Sequence, residues 1–390
     1  MTRFVHTADW QLGMTRHFLG AEAQARFSAA RIDAIRTIGA LAVAERCSFV
    51  VVSGDVFETN HVERPVVVRA LDAMAASPTV TFYLLPGNHD PLDAASEFRS
   101  STFATHCPPN VVVLDEAGIV PVEPGVELLA APWSSKRPLE DLVASVIDAA
   151  VEYGVEGAVD GVETPAGTVR IAVGHGATDV LSPDSSSPAL IGVAALEERL
   201  EAGHVHYVAL GDRHSTTSVG STGRIWYAGA PEPTDYVEVD AGNALVVEID
   251  ATGVTVKPHR VGAWRFVREE FDLANTADCE AVGTFLAGLP QKDRTIVKLA
   301  LVGQLSLADK AVLDEILAHH ADLLAALETW DLRSELVVLP DGDDFERFGL
   351  SGFAREALDD LRGLAQGPEP EAQVARDALG LLYRLGSVPA

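Results

Sequence analysis

Four short apolar runs in the first 240 residues each end in a polar motif that begins with glycine, and a fifth polar motif follows the first strand. In chain order these motifs are Asp9-Trp10-Gln11, Gly54-Asp55-Val56-Phe57-Glu58, Gly87-Asn88-His89-Asp90, Gly174-His175 and Gly211-Asp212-Arg213-His214. Ligands of α/β sheets bind beyond the carboxyl ends of the strands, so the five motifs are expected to converge on one crevice. Glycine lets the backbone turn sharply there and brings the next side chain to the rim.

The same part of the chain alternates strand patterns with helix patterns. The runs that fit buried strands are Phe49–Val52, Val80–Leu85, Val111–Leu114, Val169–Val173 and Tyr207–Leu210. Apolar residues at helical spacing (Ile32, Ile35, Ile38, Leu41) predict a first helix, and further helices fit Pro65–Ala76, Leu139–Val151 and Ala194–Glu201. This alternation predicts an α/β domain.

The pattern changes in the second part of the chain. Strands at Leu245–Ile249 and Val254–Val256 are expected to complete a first domain over residues 1–260. Residues 265–340 fit strand, helix, strand, helix and strand, which predicts a small separate α/β unit. Residues 345–390 form a tail with two helical patterns, split by Gly367-Pro368-Glu369-Pro370.

The polar motifs share one chemistry. Asp, Asn, Gln and His offer oxygen and imidazole donors, which suit Mn²⁺, Mg²⁺ or a related divalent ion. Two such ions about 3.5–4 Å apart form the clamp used for in-line phosphoryl displacement, and a water held between them becomes hydroxide near neutral pH. The motifs therefore predict a two-metal phosphoesterase.

The series resembles the calcineurin-like metallophosphoesterase superfamily, whose pattern is DxH, GDxxD, GNHD or GNHE, GH and GHxH. Within it, the first three motifs are most similar to the SbcD-like DNA double-strand-break repair nucleases, as are two further stretches. The residues that carry this closer resemblance are His6-Thr7-Ala8-Asp9-Trp10, Gly54-Asp55-Val56-Phe57, Leu85-Pro86-Gly87-Asn88-His89-Asp90-Pro91, Tyr207-Val208-Ala209-Leu210-Gly211 and Tyr227-Ala228-Gly229-Ala230-Pro231-Glu232.

The resemblance implies a role for each matching residue. Asp9 and His214 would hold a first metal, Asp55 would bridge, and Asn88 and His175 would hold a second. A bridging hydroxide would be the nucleophile. His89 would act as general acid by protonating the leaving oxygen. Glu58 occupies the position of a polar partner for that histidine, where its carboxylate would orient His89 and raise its pKa.

Two positions depart from the family pattern. Gln11 replaces the histidine of DxH and can coordinate only through a neutral carbonyl oxygen, while Asp212 replaces the first histidine of GHxH and adds an anion. Both are retained as metal ligands, in a harder site that favours Mn²⁺ or Mg²⁺ over zinc and leaves iron open. Gly203-His204-Val205-His206 spells GHxH literally, but it precedes the strand at Tyr207, so Gly211–His214 is preferred.

The resemblance also implies a four-layer α/β/β/α sandwich with the small unit at 265–340 as a capping domain that faces the DNA. The tail at 345–390 stands where such proteins bind a coiled-coil, SMC-like ATPase, and a homodimer is suggested by the family alone. The expected function is metal-dependent hydrolysis of DNA phosphodiesters by an SbcD-like exonuclease.

Charge bears on the substrate. With 29 basic and 57 acidic residues, the net charge of −28 argues against DNA binding without help from a partner or metals. One alternative is therefore a phosphoesterase for cyclic nucleotides, nucleotides or phosphoproteins, and a second is a non-catalytic binding module with a degenerate metal site. Three widely spaced cysteines without a CxxC pair favour a reducing cytoplasm, and no apolar run is long enough for a membrane helix.

Overall fold

The fold is described from a computed structural model that covers residues 1–156, 167–184, 186–339, 351–365, 367 and 370–387. The start of the predicted tail, residues 345–350, lies outside these residues. The chain divides into two compact units, one formed by Met1–Arg16 with Gln24–Trp264 and the other by His17–Ala23 with Arg265–Ala390.

The part of the chain before residue 265 contains two sheets and five α-helices among the described residues. Its strands are β1 (Thr2–Thr7), β2 (Phe49–Ser53), β3 (Thr81–Leu85), β4 (Val111–Val113), β5 (Gly118–Glu123), β6 (Val126–Ala130), β7 (Val169–His175), β8 (Tyr207–Gly211), β9 (Thr217–Val219), β10 (Ile225–Tyr227), β11 (Asn243–Asp250) and β12 (Gly253–Arg260). Its helices are α1 (Ala21–Ala44), α2 (Arg64–Ala75), α3 (Ser101–His106), α4 (Leu142–Glu156) and α5 (Val193–Glu201).

The two sheets bring the carboxyl ends of the motif-bearing strands to the same edges. The first sheet has the order β12-β11-β1-β2-β3-β4, in which β1, β2 and β3 run parallel. The second has the order β5-β6-β7-β8-β10-β9, with β7 parallel to β8. Since parallel neighbours end at one edge, three polar motifs lie together after the first sheet and two after the second.

Apolar side chains bury both faces of the central strands of each sheet. One face of the first sheet packs against α1 and α2, and one face of the second packs against α4 and α5. The remaining faces contribute to a shared core in which Phe4 stacks on Phe49 at 5.1 Å and meets Tyr207 edge-on. Strands buried on both faces explain the continuous apolar runs in the sequence. The prediction of a mixed α/β fold is confirmed, with sheets flanked by helices.

Helix α4 begins at Leu142, three residues later than predicted. The Asp141 carboxylate accepts hydrogen bonds from the backbone N–H groups of Val143 and Ala144, at 3.0 and 2.9 Å, so Asp141 caps the helix. Helix α2 begins at Arg64 with Pro65 in its first turn, where the missing N–H costs no helical hydrogen bond.

The second unit contains one more strand than predicted. Its described elements are β13 (Arg265–Leu273), α6 (Thr276–Gly288), β14 (Thr295–Ser306), α7 (Leu307–Ala321), β15 (Ala326–Thr329), β16 (Glu335–Leu339), α8 (Phe353–Ala365) and α9 (Glu371–Ser387). The long strand β14 pairs in parallel first with β15 and then with β16. A turn at Trp330–Ser334 interrupts the edge, because both Arg333 and Ser334 hydrogen-bond back to Trp330.

The tail helices pack against α7 in a small apolar cluster. Leu358 of α8 and Leu379 of α9 are almost fully buried and pack with Leu307 at the start of α7. Among the described residues, no helix combines the length and apolar character needed to cross a bilayer.

Candidate metal centre

Backbone strain is concentrated in the polar motifs. Four of the seven non-glycine residues with positive φ in the described part of the chain lie there, namely Asp9, Gln11, Asp55 and Asp212, with φ angles of 53°, 49°, 54° and 101°. Residues other than glycine rarely adopt this conformation, which costs about 1–3 kcal/mol at each position. The surrounding structure therefore holds these side chains in a geometry that local preference would not produce.

Asp9, Asp55 and His175 form the centre of the site. They are buried, and one potential ligand atom from each lies within 4.8 Å of the other two. Nε2 of His175 lies 3.4 Å from Oδ1 of Asp55, and Oδ2 of Asp9 has no hydrogen-bond partner. A buried carboxylate oxygen without a partner is costly, so this donor set fits a divalent cation.

The titration of the cluster reflects its excess of negative charge. Burial raises the pKa of Asp9 to about 6, although His214 and His175 oppose the increase. Burial by itself lowers the pKa of His175, but the carboxylates of Asp55, Asp9 and Asp212 outweigh it and raise this pKa to about 9. The site thus favours a positive charge, which a proton on His175 or a metal ion can supply.

Hydrogen bonds at Nδ1 orient both predicted histidine ligands. Nδ1 of His175 lies 2.9 Å from the carbonyl oxygen of Ser53, so it donates there and Nε2 faces Asp55. Nδ1 of His214 contacts Oγ1 of Thr234 at 2.7 Å and a carboxylate oxygen of Glu238 at 3.0 Å. Partners of this kind fix the tautomer of metal-binding histidines.

Glycine makes the close approach of the motifs possible. Gly54 has a φ of +92°, and a Cβ atom there would collide with the imidazole of His175. A Cβ atom on Gly87 would collide with the carboxylate and backbone nitrogen of Asp55. These two positions need glycine for space, and Gly54 needs it for conformation as well.

Asn88 and Asp212 also lie at the cluster. The side-chain amide of Asn88 is 2.7 Å from Nε2 of His175 and, with its nitrogen towards Asp55, 3.2 and 3.3 Å from that carboxylate. The backbone nitrogen of Asp212 donates to Oδ1 of Asp9 at 2.9 Å, and its own carboxylate is 3.8 Å from Nε2 of His175.

Gln11 is positioned differently from the expectation. Its amide nitrogen donates to Oδ2 of Asp55 at 2.9 Å, whereas coordination of a metal was expected through its carbonyl oxygen. The side chain is buried, with 1% exposure. In this arrangement Gln11 holds Asp55 in place, and its coordination of a metal stays a prediction.

His89 stands at the open side of the cluster. Its backbone nitrogen donates to Oδ1 of Asp55 at 3.0 Å, and its Nε2 is 4.0 Å from Oδ2 of the same carboxylate. Nδ1 lies 2.9 Å from the carbonyl oxygen of Glu58 and donates to it. The imidazole is 41% exposed, so Nε2 is accessible.

Glu58 therefore orients His89 through its backbone, whereas its carboxylate was expected to do so. One carboxylate oxygen of Glu58 is buried without a hydrogen-bond partner, and burial raises the pKa of this group. The carboxylate lies near enough to His89 for their charges to interact, but its direct contact with the imidazole is not seen.

Two groups that support the site were not singled out from the sequence. Asp90 is fully buried and accepts hydrogen bonds from the backbone nitrogens of Phe57, at 2.9 Å, and Gly87, at 2.7 Å, which ties the second motif to the third. The sequence feature that could have identified Asp90 is its position at the end of the third motif. Glu238 lies 24 residues after His214, and nothing in the local sequence points to it.

The literal GHxH segment is at the other end of its strand. Gly203–His206 precedes β8, and Nδ1 of His206 accepts a hydrogen bond from the backbone nitrogen of Arg170 at 3.1 Å. His214 follows β8, on the side where its charge acts on Asp9. Next to it, a cavity of about 540 Å³ is lined by residues that include Arg16, Asp212 and Arg213.

Comparison with known proteins gives relatives of low identity. The chain is 26% identical over 290 residues to the SbcD component of the SbcCD nuclease of Rhodobacter capsulatus, covering 66% of this chain and 68% of that protein. A dimetal phosphatase structure from Danio rerio is 13% identical with a TM-score of 0.41, over 67% of this chain and 96% of the other. The structure of a Thermus thermophilus protein, TT1561, is 8% identical with a TM-score of 0.41, over 66% of this chain and 98% of the other.

A sequence family accounts for more than half of the chain. The profile described as calcineurin-like phosphoesterase matches residues 2–215, which include the five polar motifs. The chain therefore belongs to the calcineurin-like phosphoesterase family.

Proposed function

We propose that this protein is a two-metal-dependent phosphodiesterase that acts on DNA as an SbcD-like repair exonuclease. The observation that carries the proposal is the buried cluster of Asp9, Asp55 and His175, with an unpartnered oxygen on Asp9 and the accessible His89 at its open side. Membership of the calcineurin-like phosphoesterase family supports a metal-dependent hydrolase.

The donor set fits two divalent ions, with Mn²⁺ as the first candidate and Mg²⁺ or iron as others. Asp9 and His214 would hold one ion, Asn88 and His175 the other, and Asp55 would serve both, with Gln11 and Asp212 as further ligands. When bound, such ions lower the pKa of water and stabilise negative charge on phosphoryl oxygens.

His89 would supply the proton for the leaving sugar oxygen. Because the Glu58 carbonyl takes the Nδ1 proton, the second proton of the imidazolium form is on the accessible Nε2. Donation from that atom neutralises the departing alkoxide as the P–O bond breaks. The hydrogen bond from the His89 backbone to Asp55 keeps the acid at a constant position beside the cluster.

The relative's name supports a nucleic acid as the substrate, since that protein is a subunit of a nuclease. Arg16 and Arg213 beside the cavity offer positive charge for a substrate phosphate. The rest of the DNA affinity would come from a partner, because the net charge is −28. In this proposal residues 1–260 are the catalytic domain, 265–340 a capping domain, and 345–390 the binding region for an SMC-like coiled-coil ATPase, in a cytoplasmic complex that includes a homodimer.

The same acidic charge favours a second candidate, a phosphodiesterase for nucleotides or other small substrates. A small substrate needs no extended basic surface, and the metal ligands and acid would act in the same way. Substrate size therefore separates the two functions.

The test measures hydrolysis of linear double- and single-stranded DNA with Mn²⁺, beside an aryl phosphodiester. We expect DNA cleavage by the parent protein, its loss in Asp55→Ala and His89→Ala, and its retention in His204→Ala, a histidine of the GHxH segment outside the cluster. Cleavage of the aryl ester alone would favour the small-substrate enzyme. No hydrolysis of either substrate, with or without a coiled-coil ATPase, would leave the non-catalytic module as the better account.

A further inference from the structure

Glu238 contacts a predicted metal ligand from a segment without regular structure. Its Oε1 lies 3.0 Å from Nδ1 of His214. We propose that Glu238 is a positioning residue that holds His214 in the Nδ1–H tautomer, so that Nε2 is available to a metal. This inference rests on the proposed function, because it assigns His214 to the metal centre.

The Glu238 carboxylate is buried and fully engaged. Its side chain is 6% exposed, Oε2 accepts from the backbone nitrogen of Thr234 at 2.9 Å, and Oε1 accepts from the Thr234 hydroxyl as well as facing His214. The Thr234 hydroxyl itself contacts Nδ1 of His214 at 2.7 Å. The Glu238 carboxylate and the Thr234 hydroxyl thus both contact Nδ1 of His214, and neither contacts Nε2.

Two arginines hold the segment that carries this carboxylate. Arg16 donates to the carbonyl oxygen of Thr234 at 2.6 Å, and Arg31 donates to that of Pro233 at 3.2 Å. Arg31 is 2% exposed and lies over the ring of Phe27, and its charge acts on Glu238. A buried cation beside the segment offsets part of the cost of burying the carboxylate.

The arrangement has a specific chemical consequence. An N–H donor on Nδ1 facing a carboxylate keeps the lone pair on Nε2 and makes that nitrogen a stronger ligand. Loss of such a carboxylate typically weakens metal binding roughly 10- to 100-fold. Glu238 does not reach the reacting atoms, so it acts through His214.

Glu232 provides a matched control. It is also a buried carboxylate of this segment, with 1% exposure, and its charge likewise interacts with Arg31. Its oxygens accept from the backbone nitrogens of Ala263 and Trp264 at 2.9 and 3.0 Å, and it has no such contact with His214. Glu232→Gln should therefore destabilise the fold without altering the metal ligand.

The first measurement is a calorimetric titration of the metal-free protein with Mn²⁺. Glu238→Gln is expected to raise the Kd of one Mn²⁺ site roughly 10- to 100-fold, while Glu232→Gln lowers the melting temperature and leaves both Kd values unchanged. In a His214→Ala background, adding Glu238→Gln should change the Kd little. An unchanged Kd in Glu238→Gln, or an equal loss in both backgrounds, would overturn the role of Glu238.

The second measurement needs neither metal nor a variant. Imidazole ¹⁵N NMR of the parent protein should show neutral His214 with its proton on Nδ1, and a proton on Nε2 would refute the inference. A parent protein that binds no divalent metal would instead refute the proposed function, so the two failures are distinguishable.

Discussion

The buried His6 makes stability depend on pH in a way that a single substitution can isolate. His6 is fully buried between the sheets, with Nδ1 3.0 Å from the hydroxyl of Tyr207 and Nε2 3.2 Å from the carbonyl oxygen of Leu210. Burial lowers its pKa from 6.5 to about 3, although the bond to Leu210 opposes this. The native state therefore contains neutral His6 over a range in which the unfolded chain is protonated.

The sign and size of this pH dependence of the free energy of unfolding follow from proton linkage. Between pH 6.5 and 3 the unfolded state binds one more proton at this residue, so the free energy of unfolding falls as the pH falls. The slope approaches about 1.4 kcal/mol per pH unit, which gives a loss of about 2 kcal/mol at about pH 5. Above pH 6.5 both states are neutral at His6 and the contribution is constant.

The assay is urea unfolding of metal-free parent protein and His6→Gln at several pH values from about 7.5 to 5. Glutamine keeps a donor and an acceptor but does not titrate, so carboxylates elsewhere contribute equally to both proteins. We expect the parent to lose about 2 kcal/mol relative to the variant across this range. A difference in stability that stays constant with pH would refute the assignment of a neutral buried His6.

Three further predictions concern the candidate metal centre. Gly54→Ala should abolish Mn²⁺ binding because the new methyl group would collide with His175. The control, Gly125→Ala, is also at positive φ but has open space around it, so it should cost only about 1 kcal/mol of stability. Equal Mn²⁺ affinity in the two variants would contradict this prediction. Gln11→His restores the family residue and should lower the Kd of one Mn²⁺ site roughly tenfold in a titration. A higher Kd would instead show that the hydrogen bond from the Gln11 amide to Asp55 is needed for Mn²⁺ binding. Asp90→Asn leaves one of two buried backbone N–H groups unpaired and should cost about 1–3 kcal/mol in urea unfolding, with an unchanged midpoint as the contrary result.

Much of the first unit was predictable because its central strands are buried on both faces. The runs Phe49–Val52 in β2 and Tyr207–Leu210 in β8 are continuously apolar, so both their position and the polar motif that follows each one are visible in the sequence. The strands of the second unit were harder to predict from the sequence. The break between β15 and β16 depends on a turn at Trp330, whose backbone nitrogen donates a hydrogen bond to the carbonyl oxygen of Leu299 in β14. No local sequence pattern predicts this turn.

Some features of the candidate site were likewise predictable from the sequence, and others were not. The rule that ligands bind at the carboxyl ends of parallel strands was enough to predict that Asp9, Asp55 and His175 come together. The contacts of individual atoms were not predictable. Gln11 presents its amide nitrogen to Asp55, and Glu58 holds His89 through its carbonyl oxygen, because each rotamer depends on the whole of its packed environment.

The sequence by itself determined the α/β class and the chemical type of the site, since hydrophobic periodicity and glycine-flanked polar motifs are local properties of the chain. Tertiary structure alone decided which groups orient the candidate ligands. Glu238 reaches His214 across 24 residues because Arg31 and Arg16 hold its segment through contacts more than 200 residues apart in the chain. Such contacts arise only when the sheets and α1 have packed, so no reading of neighbouring residues could supply them.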